Sequence, residues 1–467
     1  MKQLNCDTVV IGAGSAGLEA FKNACDRGAV CILVDSGPLG TSAQLNGELP
    51  LSLLMQAGIA VHGFKALDSL GIEASNTSSF NLNKVLDSVR TVRSRATSEV
   101  LSFLYKIPEE RRLHGQAVFL DRNNLTVGDD YRISFKTAVI ATGATPLVSY
   151  EQSRIEGILT TSDFFELDSP PSSAAVFGSS LWGLQIGQAL SYMGIDVAVF
   201  GQSNLWDLTD ENVLSVASSM LSERFNLYLD SFITSIEKDD DGYSVYYVDD
   251  HNFENYLHMQ KLIAATGRVP NCYGMNLAEI GVKLTHTGCI QTDGLTMQTT
   301  VPNIFAAGNV CHDIQNTSLS IQEGRYAGIN AATFPKFTYK APSVRLSIVH
   351  TDPVLAIAGL TLNEMKERAR TLGKLFITTT IRLHLGQYRS QREDGGILCM
   401  YTDCETHKVM GAEICAFDGE HIAEILALAI HNGATVENLA SFNFYHLSVE
   451  STITEASQEA LRTLKAN

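Results

Sequence analysis

Short apolar runs that end at a glycine or an acidic residue recur along this chain and predict its first elements. The apolar residues 9–11 enter a glycine-rich turn over residues 12–17, and a helix-forming segment follows. Residues 174–177 enter a second turn, over residues 178–183, in the same way. Short apolar runs bounded by turns are typical of buried parallel strands, and they predict an α/β fold with two dinucleotide-type units. Residues 82–105 repeat apolar positions at helical spacing, which predicts a helix.

The first turn has the spacing of a dinucleotide-binding site. Gly12, Gly14 and Gly17 form a GxGxxG pattern directly after the strand. These glycines permit a tight turn, close approach of a pyrophosphate and close packing of helix on strand. The next apolar run, residues 30–34, ends at Asp35, an acid about 20 positions further on that can accept hydrogen bonds from ribose hydroxyls. We therefore predict dinucleotide binding here, and a chance glycine turn is the alternative.

The second turn keeps Gly178 and Gly183 but has Ser180 between them. A serine Cβ atom would crowd a pyrophosphate, and the next strand, residues 196–200, ends at Gly201 without an acid. The residues just beyond include no arginine that would accept a 2′-phosphate. Two alternatives stay open at this turn, a weakened NAD(P)H site and a scaffold retained for its packing.

Net charge and cysteine spacing exclude several classes of binding partner. The formal net charge of -17 over 467 residues opposes binding to nucleic acid or to an anionic membrane surface. The nine cysteines include no CxxC motif and no Cys/His cluster at zinc-ligand spacing, so we expect reduced thiols, no metal site and a cytoplasmic location. We also expect no secretory signal and no membrane span, because no apolar run approaches ~20 residues.

Short motifs elsewhere in the chain carry a family resemblance. They are Ala141-Thr142-Gly143, a segment from Ala265 to Asn271, a segment from Val301 to Val310, Glu323-Gly324-Arg325 and Thr351-Asp352-Pro353. Together with the two turns, their order resembles the class I pyridine nucleotide-disulfide oxidoreductases, the family of dihydrolipoamide dehydrogenase and mercuric reductase. The resemblance covers essentially the whole chain.

This resemblance implies an architecture and its cofactors. It implies two Rossmann-type domains, one for FAD at residues 1–149 and 275–339 and one of NAD(P)-binding type at 150–274, plus a C-terminal α+β dimerisation domain at 340–467. It implies a homodimer that uses FAD, NAD(P)H and a small-molecule electron acceptor. The FAD-binding residues that it implies are Gly12, Gly14, Ser15, Ala16, Gly17, Asp35, Ser36, Thr41, Ser42, Ala141, Thr142, Gly143, Gly308 and Asn309. Those that it implies for the nicotinamide nucleotide are Gly178, Gly183, Gln185, Gly267 and Arg268.

The chain departs from the family where the redox disulfide should lie. Ala43 and Glu48 occupy the two cysteine positions. Ser52 replaces a lysine near the flavin, and Gln185 replaces the glutamate that pairs with that lysine. Losing both charges together avoids an uncompensated buried charge, which costs about 3–5 kcal/mol. Because the paired sulfurs are missing, the sequence excludes dithiol–disulfide exchange by the family mechanism.

The C-terminal motif of the family is changed as well. Glu450 stands at the position of the histidine base, and Glu455 keeps the carboxylate that orients that base. A glutamate has an ordinary pKa near 4.3, which suits proton exchange with a thiol poorly. We expect nearby His446 to be an interface histidine and not a substitute base. Glu48 and Glu450, the latter from the second subunit, either meet and form a proton donor or a cation site, or remain solvated.

The sequence leaves two functions open. The first is an FAD-dependent oxidoreductase of diaphorase or quinone reductase type, which passes electrons from NAD(P)H through flavin to a non-disulfide acceptor. The intact glycines of the second turn favour it. The second is a non-catalytic flavin-binding homologue with a regulatory or assembly role, which Ser180 and Gln185 favour. Asn309 replaces an aspartate that bonds the ribityl chain in the family, and since an amide still donates and accepts hydrogen bonds, we expect FAD binding in either case.

Overall fold

The computed structural model describes residues 1–45, 47–65, 81–201, 205–312, 316–383, 395–446 and 448–466. The chain forms two compact units. The first contains Met1–Pro50, Asp87–Leu147 and Arg268–Pro342. The second contains Leu51–Leu86, Val148–Gly267 and Ser343–Asn467. The three-domain division drawn from the sequence stays a prediction.

The described helices and strands follow one another along the chain in this order. The first are β1 (Lys2–Ile11), α1 (Ser15–Asp26), β2 (Cys31–Asp35), α2 (Ser42–Leu45), α3 (Glu48–Lys65), α4 (Leu82–Leu104), β3 (Arg112–His114), β4 (Ala117–Asp121), β5 (Asn124–Val127), β6 (Tyr131–Ile140) and β7 (Ala144–Pro146). The next are α5 (Tyr150–Ser153), β8 (Leu159–Thr160), β9 (Ser173–Phe177), α6 (Leu181–Tyr192), β10 (Asp196–Gly201), α7 (Glu211–Ser222), β11 (Asn226–Leu229), β12 (Phe232–Lys238), β13 (Tyr243–Val248), β14 (Glu254–Met259) and β15 (Lys261–Ala264). The last are β16 (Arg268–Pro270), α8 (Leu277–Ile280), β17 (Ile304–Ala306), α9 (Thr317–Thr333), β18 (Leu346–Val349), β19 (Val354–Gly359), α10 (Leu362–Leu372), β20 (Phe376–Leu383), β21 (Gly396–Asp403), β22 (Val409–Ala416), α11 (Gly419–His431), α12 (Val436–Ala440) and α13 (Ser451–Ala466).

The first unit is built on a sheet of seven described strands in the order β3-β2-β1-β6-β5-β4, with β17 also paired to β6. Strand β1 pairs in parallel with β2 and β6, so the carboxyl ends of these three strands lie side by side. Val9 and Ile11 face one core and Val10 faces the other, because successive side chains of a strand alternate. Helices α1 and α9 cover the Val10 face. The predicted first strand, turn and helix are therefore confirmed.

The second unit contains two larger sheets. In the first, the described strands run β11-β10-β9-β15-β8, all in parallel, with α6 following β9. In the other, β18-β19-β22-β21-β20 pair in antiparallel fashion and pack against α11 and α13. The α/β class, the second dinucleotide-type unit and the C-terminal α+β part are thus confirmed.

The part of the chain that the structure describes also bears on metal and membrane binding. No group of three or more His, Cys, Asp or Glu side chains in this part of the chain could hold a metal ion. Among the described helices, none is both long and apolar enough to cross a membrane.

Candidate active site

The turn between β1 and α1 requires glycine at two positions. Gly12 has a φ of +106°, and a Cβ atom there would lie 2.2 Å from the carbonyl oxygen of Ala141. At Gly17, a Cβ atom would lie 1.8 Å from the carbonyl oxygen of Gly12. Since Cβ atoms essentially never approach another atom within 3.0 Å, neither position can hold a side chain without moving the backbone. The glycines thus let the chain turn sharply and let α1 pack closely on the turn.

The N-terminus of α1 is uncapped and faces open space. Gly14 is its N-cap residue, no side chain caps the helix, and no atom lies within 4 Å of where a Cβ atom of Gly14 would be. Ser15 and Ala16 begin the helix, and its first turn contains no acidic residue. The uncapped amide N–H groups and the positive end of the helix dipole are therefore suited to a phosphate group.

Asp35 is held beside this turn at the end of β2. Its Oδ2 accepts a hydrogen bond from the amide of Ala13 at 2.6 Å. The same carboxylate borders a cavity of about 410 Å³, which Arg112 and Tyr105 also line. The Arg112 guanidinium lies over the Tyr105 ring, 4.6 Å from its centroid. A cavity of a few hundred Å³ next to a carboxylate and an open helix N-terminus fits the adenosine and pyrophosphate parts of FAD.

A buried carboxylate positions the turn after β17. Glu323 is 2% exposed, and its Oε2 accepts a hydrogen bond from the amide of Gly308 at 3.0 Å. Its Oε1 lies 2.6 Å from Nε2 of His312. Asn309 accepts a hydrogen bond from the Ser320 hydroxyl at 3.1 Å. Among the described residues the Asn309 amide N–H groups have no protein acceptor, so they can donate to a hydroxyl of a ribityl chain.

The motif after β6 is fixed mainly by backbone-directed hydrogen bonds. The Thr142 hydroxyl donates to the Asn271 carbonyl at 2.7 Å, and Asn271 donates back to the Thr142 carbonyl at 2.8 Å. Gly143 has a φ of +68°. Arg268 donates to the Ala144 carbonyl at 2.6 Å, and burial lowers the pKa of its guanidinium to about 10. The hydrogen bonds of Thr142 and Arg268 thus brace the antiparallel pair of β7 and β16.

The segment in place of the redox disulfide folds into α2 and the start of α3. Thr41 is buried with a φ of 58°, whereas Ser36 and Ser42 are exposed. Ala43 is half-buried in α2. Glu48 is exposed in the first turn of α3, where the helix dipole stabilises a carboxylate. Glu48 therefore lies at the exposed start of α3, and its chemical role stays a prediction.

The second turn repeats the glycine framework of the first. Gly178 has a φ of +123°, and a Cβ atom there would lie 2.4 Å from the carbonyl oxygen of Ala265. A Cβ atom on Gly183 would lie 1.9 Å from the carbonyl oxygen of Gly178. Ser180 is the N-cap of α6, where its hydroxyl accepts from the Gly183 amide at 3.4 Å and donates to the Ala265 carbonyl at 2.5 Å. In contrast to the first turn, this helix N-terminus is capped by its own chain.

Neighbouring residues also fill space around the second turn. A Cβ atom on Gly201 would lie 2.6 Å from the Ser179 hydroxyl oxygen, so the end of β10 packs directly on the turn. The amide of Trp206 donates to the Ser179 carbonyl at 3.0 Å. Gln185 is buried and donates to the Leu181 carbonyl of its own helix at 3.0 Å. The end of β10 and the segment after it thus pack directly on the second turn.

A buried glutamate of β22 fixes the segment that follows β10. Glu413 has no exposed surface and accepts hydrogen bonds from the amide and hydroxyl of Thr209 at 2.6 and 2.7 Å. It also accepts from the amides of Asp210 at 3.0 Å and Leu362 at 2.8 Å. The Tyr401 hydroxyl lies 3.1 Å from Glu413 and 3.2 Å from Asp210. We call these residues the Glu413 network.

The two C-terminal acids have different surroundings. Glu455 is exposed on α13, whereas Glu450 is half-buried and accepts a hydrogen bond from Nδ1 of His421 at 3.0 Å. Burial opposes the charge on His421, but the hydrogen bond to Glu450 and nearby acidic groups outweigh it and raise the pKa of His421. Burial also opposes ionisation of Glu450, but hydrogen bonds from Ser448, its own amide and His421 together lower its pKa.

These contacts add a histidine to the C-terminal motif, whose predicted roles stay predictions. No hydrogen bond joins Glu450 to Glu455 in the described structure. Glu450 instead orients His421, as a carboxylate does in many histidine sites, and is itself a poor proton donor. The sequence pattern does not indicate His421, because it lies 29 residues away from Glu450, on α11. It also missed His312, whose partner Glu323 was noticed only as part of a motif. His446 is exposed.

The predicted site residues fall into separate groups. The first unit contains the first turn and the cavity, and it also contains Asp35, Ala141, Gly308 and Glu48. Gly178, Gly183, Gln185, Glu450 and Glu455 lie within the second. Gly267 has a φ of +136° and no atom within 4 Å of where its Cβ would be. These residue roles stay predictions.

Comparison with known proteins adds a family-level finding. Residues 6–324 match the family described as pyridine nucleotide-disulphide oxidoreductase, and residues 346–457 match the dimerisation domain of that family. Dihydrolipoyl dehydrogenase of Bacillus subtilis is 26% identical over 465 residues, which cover 98% of this chain and 97% of that protein. Mercuric reductase of Lysinibacillus sphaericus is 27% identical over 444 residues, which cover 93% of this chain and 79% of that protein.

A solved structure shows the same fold. It is the Cu(II) complex of the HOCl-induced flavoprotein disulfide reductase RclA from Escherichia coli, with a TM-score of 0.79. The alignment covers 98% of this chain and 100% of that one at 18% sequence identity. At this identity the likeness concerns the fold alone.

Proposed function

Because the chain belongs to the pyridine nucleotide-disulphide oxidoreductase family, we propose that it is an FAD-dependent oxidoreductase whose electron acceptor is not a disulfide. The reductant is NADH or NADPH at low affinity, and the acceptor is a quinone or another small oxidant, as in a diaphorase. We further propose that the protein works as a homodimer in the cytoplasm, and the match to the dimerisation domain supports the dimer.

The observation that carries this proposal is the replacement of both redox cysteines. Ala43 and Glu48 supply no sulfur, so no thiolate in this segment can accept electrons or form a mixed disulfide. All nine cysteines of the chain are described, and none forms a disulfide. Cys311, two residues after Asn309, is buried, and burial raises its pKa well above the usual range. These features support electron transfer from flavin without a protein dithiol.

The first unit offers a set of groups that fit FAD. The uncapped amides of α1 would bind its pyrophosphate, Asp35 would accept from a ribose, and Asn309 would donate to the ribityl chain. Glu323 holds the Gly308 amide and thereby fixes the turn that carries Asn309. When bound, FAD supplies reversible two-electron chemistry, and the protein supplies position and electrostatics.

We propose His421 and Glu450 as the proton-handling pair of the C-terminal motif. Glu450 keeps the Nδ1 proton of His421 in place, which leaves Nε2 to take up or release a proton. The raised pKa of His421 keeps a larger fraction of it protonated near neutral pH. A protonated histidine can deliver the proton that a quinone needs when it is reduced.

Anaerobic stopped-flow reduction tests the proposed function. The purified yellow protein is mixed with NADH and, separately, with NADPH, while the flavin absorbance is followed. We expect bleaching with at least one nucleotide, at concentrations in the millimolar range because the second turn is capped. Dithionite serves as the control that the flavin can be reduced. No bleaching by either nucleotide, with normal reduction by dithionite, would overturn the enzyme proposal.

The same experiment reports on thiol chemistry. After two-electron reduction, we expect no charge-transfer band between a thiolate and the flavin, because no cysteine stands at position 43 or 48. Such a band would instead show that another cysteine, with Cys311 the first to check, reaches the flavin ring.

A flavin-binding protein without turnover is the second candidate, and the self-capped second turn favours it. The Ser180 hydroxyl accepts a hydrogen bond from the Gly183 amide, which would otherwise face a pyrophosphate. In addition, β10 ends at Gly201 without an acidic residue to bind the ribose. This turn fits a nicotinamide nucleotide poorly. In this case the domain is a scaffold, and the flavin serves a regulatory or assembly role.

Ser180→Gly is expected to raise the affinity for NADH or NADPH roughly tenfold. Glycine removes the hydroxyl from the helix N-terminus, exposes the Gly183 amide and costs the helix only a few tenths of a kcal/mol. Isothermal titration calorimetry measures the dissociation constant directly. Ser173→Gly, at the far end of β9, is the matched control and should leave it unchanged. Equal affinity in wild type and Ser180→Gly would show that the cap does not weaken this site.

A further inference from the structure

A surface histidine reaches the buried carboxylate that holds the turn after β17. The side chain of His312 is 37% exposed, whereas that of Glu323 is 2% exposed. Nε2 of His312 lies 2.6 Å from Oε1 of Glu323, and the Gly308 amide donates to Oε2 at 3.0 Å. Because a carboxylate accepts hydrogen bonds, Nε2 carries the proton of this contact. Each oxygen of Glu323 thus has its own donor.

One face of α9 anchors this turn. Ser320 and Glu323 are three positions apart in α9, so their side chains are neighbours on the helix surface. The Ser320 hydroxyl donates to Oδ1 of Asn309 at 3.1 Å. Glu323 accepts from the amide of Gly308 and from the imidazole of His312. Two neighbouring side chains of one helix therefore hold the segment that carries Asn309 at three of its residues.

The surroundings of Gly308 make the turn sensitive to the orientation of this carboxylate. Gly308 is buried with a φ of +81°, and a Cβ atom there would lie 2.9 Å from the Cβ atom of Ala16 in α1. The Cys311 amide donates to the Gly308 carbonyl at 2.8 Å, which closes a tight turn. If the Glu323 carboxylate rotated, the buried Gly308 amide would lose its acceptor, which is unfavourable. A donor that prevents this rotation therefore stabilises the whole turn.

We propose that His312 is a positioning residue for FAD, which acts through Glu323. The imidazole fixes the rotation of the Glu323 carboxylate, and the carboxylate fixes the Gly308 amide and the turn that presents Asn309. This inference rests on the proposed binding of FAD, in which Asn309 donates to the ribityl chain. The family motifs do not indicate His312, because it lies between the segment that ends at Val310 and the one that begins at Glu323.

Release of FAD from the purified holoprotein tests this role. Without the His312 imidazole, Oε1 of Glu323 has no donor among the described residues, so the carboxylate is no longer held in one rotation. We therefore expect His312→Ala to raise the dissociation constant of FAD roughly tenfold. The holoprotein is diluted in steps, and the FAD released at equilibrium is measured through its fluorescence.

Two amide variants distinguish a specific hydrogen bond from general packing. The amide nitrogen of glutamine is as many bonds from Cα as Nε2 of histidine, and that of asparagine is as many bonds away as Nδ1. His312→Gln should therefore keep a donor to Glu323 and restore most of the affinity for FAD. His312→Asn should bind FAD as weakly as His312→Ala does. A role in packing alone would not separate the two amide variants in this order.

Hydrogen exchange at the Gly308 amide reports on the contact itself. The wild-type protein and the variants are compared in excess FAD, so that loss of flavin does not dominate the exchange. We expect this amide to exchange severalfold faster in His312→Ala and His312→Asn than in wild type, because its acceptor is no longer fixed. In His312→Gln the exchange should stay close to that of wild type.

His258→Ala is the matched control. Nε2 of His258 also lies beside a carboxylate, 3.1 Å from Oδ2 of Asp239, but both of these side chains are exposed. This variant should leave the affinity for FAD unchanged.

The possible outcomes separate this inference from the proposed function. Equal affinity for FAD in wild type and His312→Ala would overturn the role of His312 and leave the proposed function intact. Equal affinity in His312→Gln and His312→Asn would do the same, and this pair decides the matter even if His312→Ala fails to fold. Wild-type protein that binds no FAD would instead overturn the proposed function, and the role of His312 with it.

Discussion

Glu413→Ala is expected to lower the free energy of unfolding of the second unit by about 4 kcal/mol. The side chain has no exposed surface, and it accepts hydrogen bonds from three backbone amides and two hydroxyl groups. Alanine would leave these donors buried without their acceptor, and each such group costs about 1–3 kcal/mol. Urea unfolding followed by circular dichroism measures the loss. Hydrogen exchange in peptides from residues 205–210 should rise at the same time.

A matched control uses an exposed glutamate of the same C-terminal part. Glu405 forms an ion pair with Lys374 on the surface. Glu405→Ala should therefore cost about 0–1 kcal/mol. Tyr401→Phe, which removes a single hydroxyl from the Glu413 network, should fall between the two at about 1–2 kcal/mol. Similar losses for Glu413→Ala and Glu405→Ala would contradict the assignment of Glu413 as a buried anchor.

The Glu413 network bears on the second turn as well. The segment that it fixes follows β10, and Trp206 in this segment bonds to Ser179 of the turn. Its position is therefore set in part by contacts with the C-terminal sheet and with the turn itself. Together with the Ser180 hydroxyl, which caps α6, this contact fixes the conformation of the second turn from within the chain.

Most of the fold follows from the sequence because its signals are local. Glycine is required at Gly12 and Gly178 by backbone angle and by distances to the neighbouring strand, so the sequence pattern carries the geometry directly. The apolar runs before these turns become β1 and β9. Residues 82–105 become α4, which ends at Leu104. Such features need only a few consecutive residues to be recognised.

Site features that depend on distant contacts could not be predicted in this way. The sequence predicts that Ser180 crowds a pyrophosphate, and the structure adds that its hydroxyl caps the helix and bonds to Ala265. The partner of Glu450 is His421, on a separate helix. Glu413 lies inside an otherwise apolar strand, and nothing in its neighbours along the chain indicates the five donors that surround it. Each of these contacts is created by tertiary packing.

Gly17→Ala is expected to lower the amount of flavin that the purified protein retains by roughly tenfold or more. A methyl group there would lie 1.8 Å from the Gly12 carbonyl oxygen and 3.3 Å from the Ala141 Cβ atom. Helix α1 would have to move away from the turn, which would displace its amides from the pyrophosphate position and also destabilise the first unit. The ratio of flavin to protein absorbance and the midpoint of thermal unfolding measure the two effects.

Gly14→Ser separates the binding of phosphate from the packing of the helix. Position 14 has an extended backbone, with φ -76° and ψ -177°, and open space around its Cβ position, so serine fits without strain. Its hydroxyl would cap α1 as Ser180 caps α6, which stabilises the helix while occupying the amides that face the phosphate. We therefore expect this variant to fold at least as stably as wild type without flavin, yet to bind FAD more weakly. Full FAD affinity in Gly14→Ser would show that a serine cap does not block phosphate binding at a helix N-terminus. The low nucleotide affinity that we propose for the second turn would then need a cause other than Ser180.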